Sequence, residues 1–376
     1  MKPWRTMVVA GLLAACAACQ LVLGIERRET ETDASTAVDA GTDLGVVETA
    51  PPDAGACGTK TACGATCVTL ATDPLNCGAC GRSCLGGTCT DGRCPVDTIA
   101  ASISFPNGLL TDGTYLYVPY TSGVLMLTKA GAIVRTLSQG YTFAAAVDDG
   151  QVYVGRNRVG FREVVHVPID GGASTLIKSF DGGAFFPAIA ARDQTVVWAT
   201  GSSGLFIAND DGTNLVTLRA ESDAGYAGSV ALDDASVFLT DLAPNTLLMT
   251  PRTGGSLNVL ASALTPVALA LGPDDKIYYG DASRVRRVDK AGAKVELLAS
   301  AIENVGGIGF GGGRVYWSGI GTQTANGEIS SRSLTDADET SLAIGQPSPT
   351  ALVVDAQYVY WISQANNVGQ LRRTPR

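Results

Sequence analysis

Cysteine, histidine and carboxylate placement bounds the chemistry open to this chain. Eight cysteines, Cys57, Cys63, Cys67, Cys77, Cys80, Cys84, Cys89 and Cys94, crowd into residues 57–94, and none follows. Three chemistries suit such a cluster: disulfide staples, a thiolate zinc site, or a redox pair at Cys77-Gly78-Ala79-Cys80. A redox pair sits between a strand and a helix, and no helical pattern follows Cys80. Thiolate zinc ligation belongs to reducing compartments, whereas the start of the chain reads as an export signal. An even count in an exported chain points to four disulfides. The stretch is too short to build a self-sufficient core, so covalent staples would substitute for one. Eight cysteines allow on the order of 100 pairings, and the sequence leaves them open.

The remaining chemistry is sparse. His166 is the single histidine. It lies in Val164-Val165-His166-Val167, a strand pattern, and reads as a structural or surface residue rather than a general base. One histidine nearly excludes His-rich metal centres. No GxxxxGK[ST] phosphate loop occurs, and Gly171-Gly172, Gly254-Gly255 and Gly311-Gly312-Gly313 read as hairpin turns. A formal charge of -9 argues against a nucleic-acid partner, which needs basic patches to neutralise phosphate. No cofactor and no resident metal are implied.

The N-terminus carries the address. Lys2 and Arg5 precede an apolar run from Met7 to Ala15 that is far too short to span a bilayer. Residues 1–15 therefore read as a secretory signal. Leu13-Ala14-Ala15-Cys16 resembles the lipobox of bacterial lipoproteins, in which a signal peptidase cuts before a lipid-modified cysteine. Cys16 is the preferred anchor. Cys19 is the alternative, because Gln20-Leu21-Val22-Leu23-Gly24 resembles the mature start of many bacterial surface lipoproteins. Ala17 is not the Asp that favours inner-membrane retention in such proteins. The resemblance thus implies a lipid-anchored protein of the outer membrane or cell surface. Residues 16–56 hold eight acidic residues against Arg27 and Arg28, with no aromatic. Such a segment cannot bury enough apolar surface to offset its ordering entropy, and it reads as a disordered acidic tether.

Asp73-Pro74-Leu75-Asn76-Cys77-Gly78-Ala79-Cys80-Gly81, followed by Cys84 and Cys89, resembles a short cysteine-rich module of secreted Gram-negative lipoproteins. That resemblance covers residues 57–94 and implies no activity.

Residues 95–376 repeat. Tyr117, Tyr153, Val197, Phe238, Tyr278, Tyr316 and Tyr360 each centre an apolar strand after a turn, and they recur about every 40 residues. Four short strands per repeat predict an all-β, seven-bladed propeller. Val267 to Leu271, Lys276 to Gly280, Val285 to Val288 and Lys294 to Leu298 read as the four strands of the fifth blade. The seventh repeat ends after three strands, at Gln370-Leu371-Arg372-Arg373. Asp97 to Ser102 reads like a fourth strand, so it is expected to complete the last blade and remove the open edges. Asp112, Asp148, Asp233 and Asp355 read as turn residues of the repeat.

Tyr278-Tyr279-Gly280-Asp281, Phe238-Leu239-Thr240-Asp241, Val315-Tyr316-Trp317 and Val359-Tyr360-Trp361 resemble the YWTD and NHL types of propeller repeat. YWTD propellers usually have six blades, so a count of seven departs from them. The resemblance implies that Tyr117, Tyr153, Trp198, Phe238, Tyr278, Trp317 and Trp361 pack between blades. It also implies that the loops joining fourth to first and second to third strands share one face. There Tyr120, Tyr141, Arg158, Phe185, Phe186, Tyr226, Asp241, Asp281 and Arg284 are the candidate ligand face. Three functions are open, the last of them a purely structural surface protein. The first is a binding or scaffold module for a protein, peptide or glycan. The second is a metal-dependent hydrolase or lyase using carboxylates such as Asp241 and Asp281.

Overall fold

The computed structural model describes residues 57–376, except 159–160, 182–185, 187, 202–203, 222, 224, 263–266, 293 and 323–324. The signal, both anchor candidates Cys16 and Cys19, and the tether at 16–56 lie outside the described residues.

Seven four-stranded antiparallel sheets form the blades of a β-propeller, with no helix among the described residues. Within six of the sheets the strands run in chain order from the centre outward, and the seventh departs from this only in its outermost strand. The fifth blade is representative. Its strands are Ala268–Leu271, Ile277–Gly280, Arg284–Val288 and Val295–Ser300, each within two residues of expectation.

Period-two alternation in the second strands explains how the ring coheres. Successive side chains point to opposite faces of a blade, and both faces are covered by neighbours. Tyr278 therefore packs toward the sixth blade and Tyr279 toward the fourth. Seven apolar clusters result, one at each junction between adjacent blades. The seven aromatics expected between blades are all buried.

Closure follows the expected route. The seventh blade comprises Pro349–Val354, Tyr358–Ala365 and Val368–Pro375, and Asp97–Ser104 supplies its fourth strand. Asp97 pairs with Arg373 and Ser104 with Val368. Ile103 enters the apolar cluster between the seventh and first blades, so the strand contributes packing as well as hydrogen bonds.

The cysteine-rich module is stapled as Cys57–Cys67, Cys63–Cys80, Cys77–Cys89 and Cys84–Cys94. Cys77 and Cys80 thus bond to different partners, which removes the redox-pair reading. The interior of the module is sulfur: Cys77, Cys84 and Cys94 are buried together. Arg82 ties the module to the ring, donating to the Pro375 carbonyl at 2.9 Å, while Thr374 donates to the Pro95 carbonyl at 3.1 Å.

Three of the four turn aspartates behave as expected. Asp112 accepts from the Thr114 and Tyr115 amides at 2.7 Å, and Asp233 and Asp355 accept from the equivalent amides of their own turns. Asp148 differs. It is the last residue of its inner strand, paired with Gln151, and the turn beyond it is made by Asp149 and Gly150 in the left-handed region.

Candidate functional site

Antiparallel order places the fourth-to-first and second-to-third connections at one end of every blade. This loop face carries the ligand candidates, and the structure sorts them into three groups.

The exposed group holds Tyr141, which starts the second blade, and Arg284, which starts the third strand of the fifth. Phe105, Phe161, Val267 and Val368 join them, and together with Tyr141 these apolar side chains are 39 to 47% exposed. Phe105 and Val368 lie side by side, because the Phe105 amide donates to the Asn367 carbonyl at 2.8 Å. The Tyr141 and Phe143 rings stand 4.8 Å apart, with the Arg162 guanidinium 5.9 Å from the Phe143 ring.

A second group is half-buried. Tyr120 packs against the cluster between the seventh and first blades. Tyr226 is held by its amide, which donates to Asp241 at 2.6 Å.

The third group is buried and corrects the expectation. Phe186 is 1% exposed and sits in the cluster between the second and third blades, with its ring against Gly155. A side chain at 155 would collide with that ring, which is why glycine interrupts an otherwise bulky strand. Asp241 and Asp281 are also buried. Asp241 Oδ2 lies 2.5 Å from Arg219 Nη1, and its Oδ1 accepts from the Tyr226 and Ala243 amides. Asp281 lies 2.9 Å from Arg286 Nη1 and accepts from the Ser283 amide. Each carboxylate is held by one guanidinium and by loop amides, so both order the loops. The Arg158 side chain and Phe185 lie outside the described residues.

Arg156 and Glu163 form a third buried pair at 3.0 Å, in the second blade. Sequence reading missed Glu163, Arg219 and Arg286. The available signal was an isolated charge inside a strand pattern, which demands a partner once buried. His166 bonds Gln151 at 3.0 Å beside the Tyr153 ring, as a structural residue would.

A cleft lies next to the loop that follows Asp281. Val267, Ala282, Asn304, Val305, Ile320 and Thr350 line a space of about 490 Å³ where loops of the fifth, sixth and seventh blades meet. The walls interlock through backbone: Asn304 donates to the Ala282 carbonyl at 2.9 Å and Ile320 to the Asn304 carbonyl at 2.8 Å. On the sixth-blade side, Glu303 accepts from the Thr322 amide and the Asn326 side chain. The cleft is thus pre-formed and mostly apolar. It can bury an apolar side chain, and among the described residues its lining holds no carboxylate.

No protein-family model and no curated protein matches the chain. Solved structures do resemble it. The β-propeller domain of Myceliophteria thermophila Cps50 (Swd1) aligns with a TM-score of 0.58 at 10% identity, covering 74% of this chain and 99% of that one. The computationally designed Ika8 protein aligns with a TM-score of 0.53 at 16% identity, covering 72% and 83%. At these identities the likeness establishes the β-propeller fold and nothing further.

Proposed function

We propose that the chain is an exported, lipid-anchored binding module whose loop face captures a protein or peptide. The observation that carries this reading is the pairing of exposed aromatic and aliphatic side chains with a pre-formed apolar cleft on one face. Its buried carboxylates are meanwhile committed to guanidinium partners. Exposed apolar groups beside an apolar recess are what a protein partner's anchor residues require. A glycan would call for more free polar groups than the cleft offers. Asp241 and Asp281, the acids of the YWTD-like stretches, accept from the Tyr226, Ala243 and Ser283 amides, which supports a YWTD-like repeat, although seven blades depart from that type.

The address rests on the lipobox-like Leu13 to Cys16 and on a disulfide-stapled module suited to an oxidising compartment. Metabolic labelling with an alkynyl fatty acid tests the anchor. Label is expected on the wild-type chain and on Cys19→Ala, and its persistence on Cys16→Ala would move the anchor to Cys19. Peptide and glycan arrays probed with the purified chain test the binding mode. Peptide hits lost in a Phe105→Ala, Tyr141→Ala, Phe161→Ala variant are expected, and hits confined to glycans would overturn the peptide reading.

A further inference from the structure

A second recess lies where the cysteine-rich module meets the turn ends of the sixth and seventh blades, away from the loop face. Its volume is about 610 Å³. Three guanidinium groups, Arg82, Arg314 and Arg376, line it, and its lining contains no Asp or Glu among the described residues. In a chain with a net charge of -9 this is not a by-product of overall composition.

Arg82 is the unusual member. It is 7% exposed. A buried arginine is ordinarily paired with a carboxylate, because an uncompensated buried charge is costly. Here the partners are neutral carbonyls: Nη1 donates to Cys77 and Gly92, and Nη2 donates to Pro375. Nε is buried with no partner. Burial pulls the group down to about 10, Tyr316 opposes that shift, and the nearby Arg314 charge adds to it.

The other two arginines are positioned from the ring. Arg314 reaches Asp338 at 2.8 Å and the Thr340 hydroxyl at 3.1 Å, so one acid outside the lining balances it in part. Arg376 donates Nε to the Ala356 carbonyl at 2.7 Å, and its Nη1 lies where a side chain at residue 312 would begin. Gly312, with φ +54°, therefore does more than turn the hairpin: it admits this guanidinium to the recess. Hydroxyls of Ser331 and Thr340 complete a donor-rich wall.

We propose that this seam is a binding site for a small oxyanion, a carboxylate- or phosphate-bearing molecule, held by Arg82, Arg314 and Arg376. Guanidinium groups match such oxygens geometrically and recognise both classes. Occupancy would compensate the buried charge of Arg82 and bond the module to the ring.

The test is thermal melting of the purified full chain in inorganic phosphate, sulfate or citrate, with sodium chloride at matched ionic strength as reference. A ligand that binds only the folded state raises the melting temperature saturably. Such a rise is expected in at least one oxyanion and not in chloride, and the oxyanion that gives it separates a phosphate site from a carboxylate site. Arg376→Gln, which leaves the bonds between module and ring intact, should weaken the apparent affinity about 10-fold, as loss of a charge-assisted hydrogen bond does. Arg82→Gln should abolish the rise, but it also loosens the module, so Arg376→Gln is the deciding variant. Equal rises in wild type and Arg376→Gln, a matching rise in chloride, or no saturable rise in any oxyanion would overturn the assignment.

Discussion

Replacing Asp241 by Asn separates a loop-ordering carboxylate from a catalytic one. The two side chains of the Asp241–Arg219 pair are 2 and 3% exposed. The Asp241→Asn side chain would keep an acceptor for the Tyr226 and Ala243 amides but withdraw the counter-charge from the buried Arg219 guanidinium. Breaking a buried pair in this way costs about 3–5 kcal/mol. A cooperative unit of about 280 residues unfolds with roughly 0.6 kcal/mol per degree, so the melting temperature should fall by about 5–8 °C. The assay is a calorimetric melt of the purified chain at neutral pH. Asp97→Asn is the reference: its carboxylate, 3.4 Å from Arg373, is 54% exposed, and its loss should cost at most about 1 kcal/mol. Adding Arg219→Met to Asp241→Asn should recover most of the loss, since an apolar side chain tolerates a buried site that a cation deprived of its carboxylate does not. A fall no larger than that of Asp97→Asn, or no recovery in the double variant, would refute the reasoning. Gly225 gives an independent check on the same pair. A Cβ there would lie 2.5 Å from Asp241 Oδ2 and 2.9 Å from Arg219 Nη1, with φ already at +148°, so Gly225→Ala should destabilise in the same direction.

Deleting Asp97 to Ser104 should expose the third strand of the seventh blade and remove Ile103 from its cluster; light scattering should show concentration-dependent self-association, and an unchanged monomeric melt would contradict ring closure. Reduction with dithiothreitol should unfold the module, at about 2–5 kcal/mol per lost staple, whereas a chelator should leave it intact; the reverse sensitivity would restore the zinc reading. Burial, with the charges of Glu339 and Glu303, raises the Glu328 carboxyl above its ordinary range, so its ionisation costs folding stability as pH rises from about 4.5. Glu328→Gln should therefore stabilise at neutral pH, and the gain should vanish in acid. Glu296 behaves oppositely. Its bond to Arg287 outweighs burial and, with Lys294 and Lys276, holds it at about 2, so its contribution is present at neutral pH and lost between about pH 4.5 and 2. Arg287→Met should flatten that limb of an acid-denaturation profile.

The fold was legible because the propeller repeat writes the same physical demand seven times: an apolar second strand covered on both faces, after a turn. The closing strand was legible by subtraction, since a seventh repeat with three strands requires a fourth from elsewhere. Pairing of the cysteines was not, because near-uniform spacing leaves many loops of similar closure entropy. The site was only partly legible. Tyr141 and Arg284 stay exposed as expected. Phe186 does not, because a loop residue beside a glycine strand position can turn inward to fill the space the glycine leaves. Asp241 and Asp281 looked like free loop carboxylates because their arginines, Arg219 and Arg286, come from strands whose pattern gives no sign of where the guanidinium reaches. Arg82 was invisible for a similar reason: its environment is assembled from the module and the C-terminal strand, nearly 300 positions later in the chain.

The measurement that bears most directly on loop-face recognition sets partner binding against stability in two variants. For an array-selected peptide, the Phe105→Ala, Tyr141→Ala, Phe161→Ala chain should lose affinity while melting near the wild-type temperature. Asp281→Asn should melt lower yet bind normally well below its transition. Full binding by the aromatic variant, or loss of binding by a folded Asp281→Asn, would place recognition on the carboxylates and contradict the account.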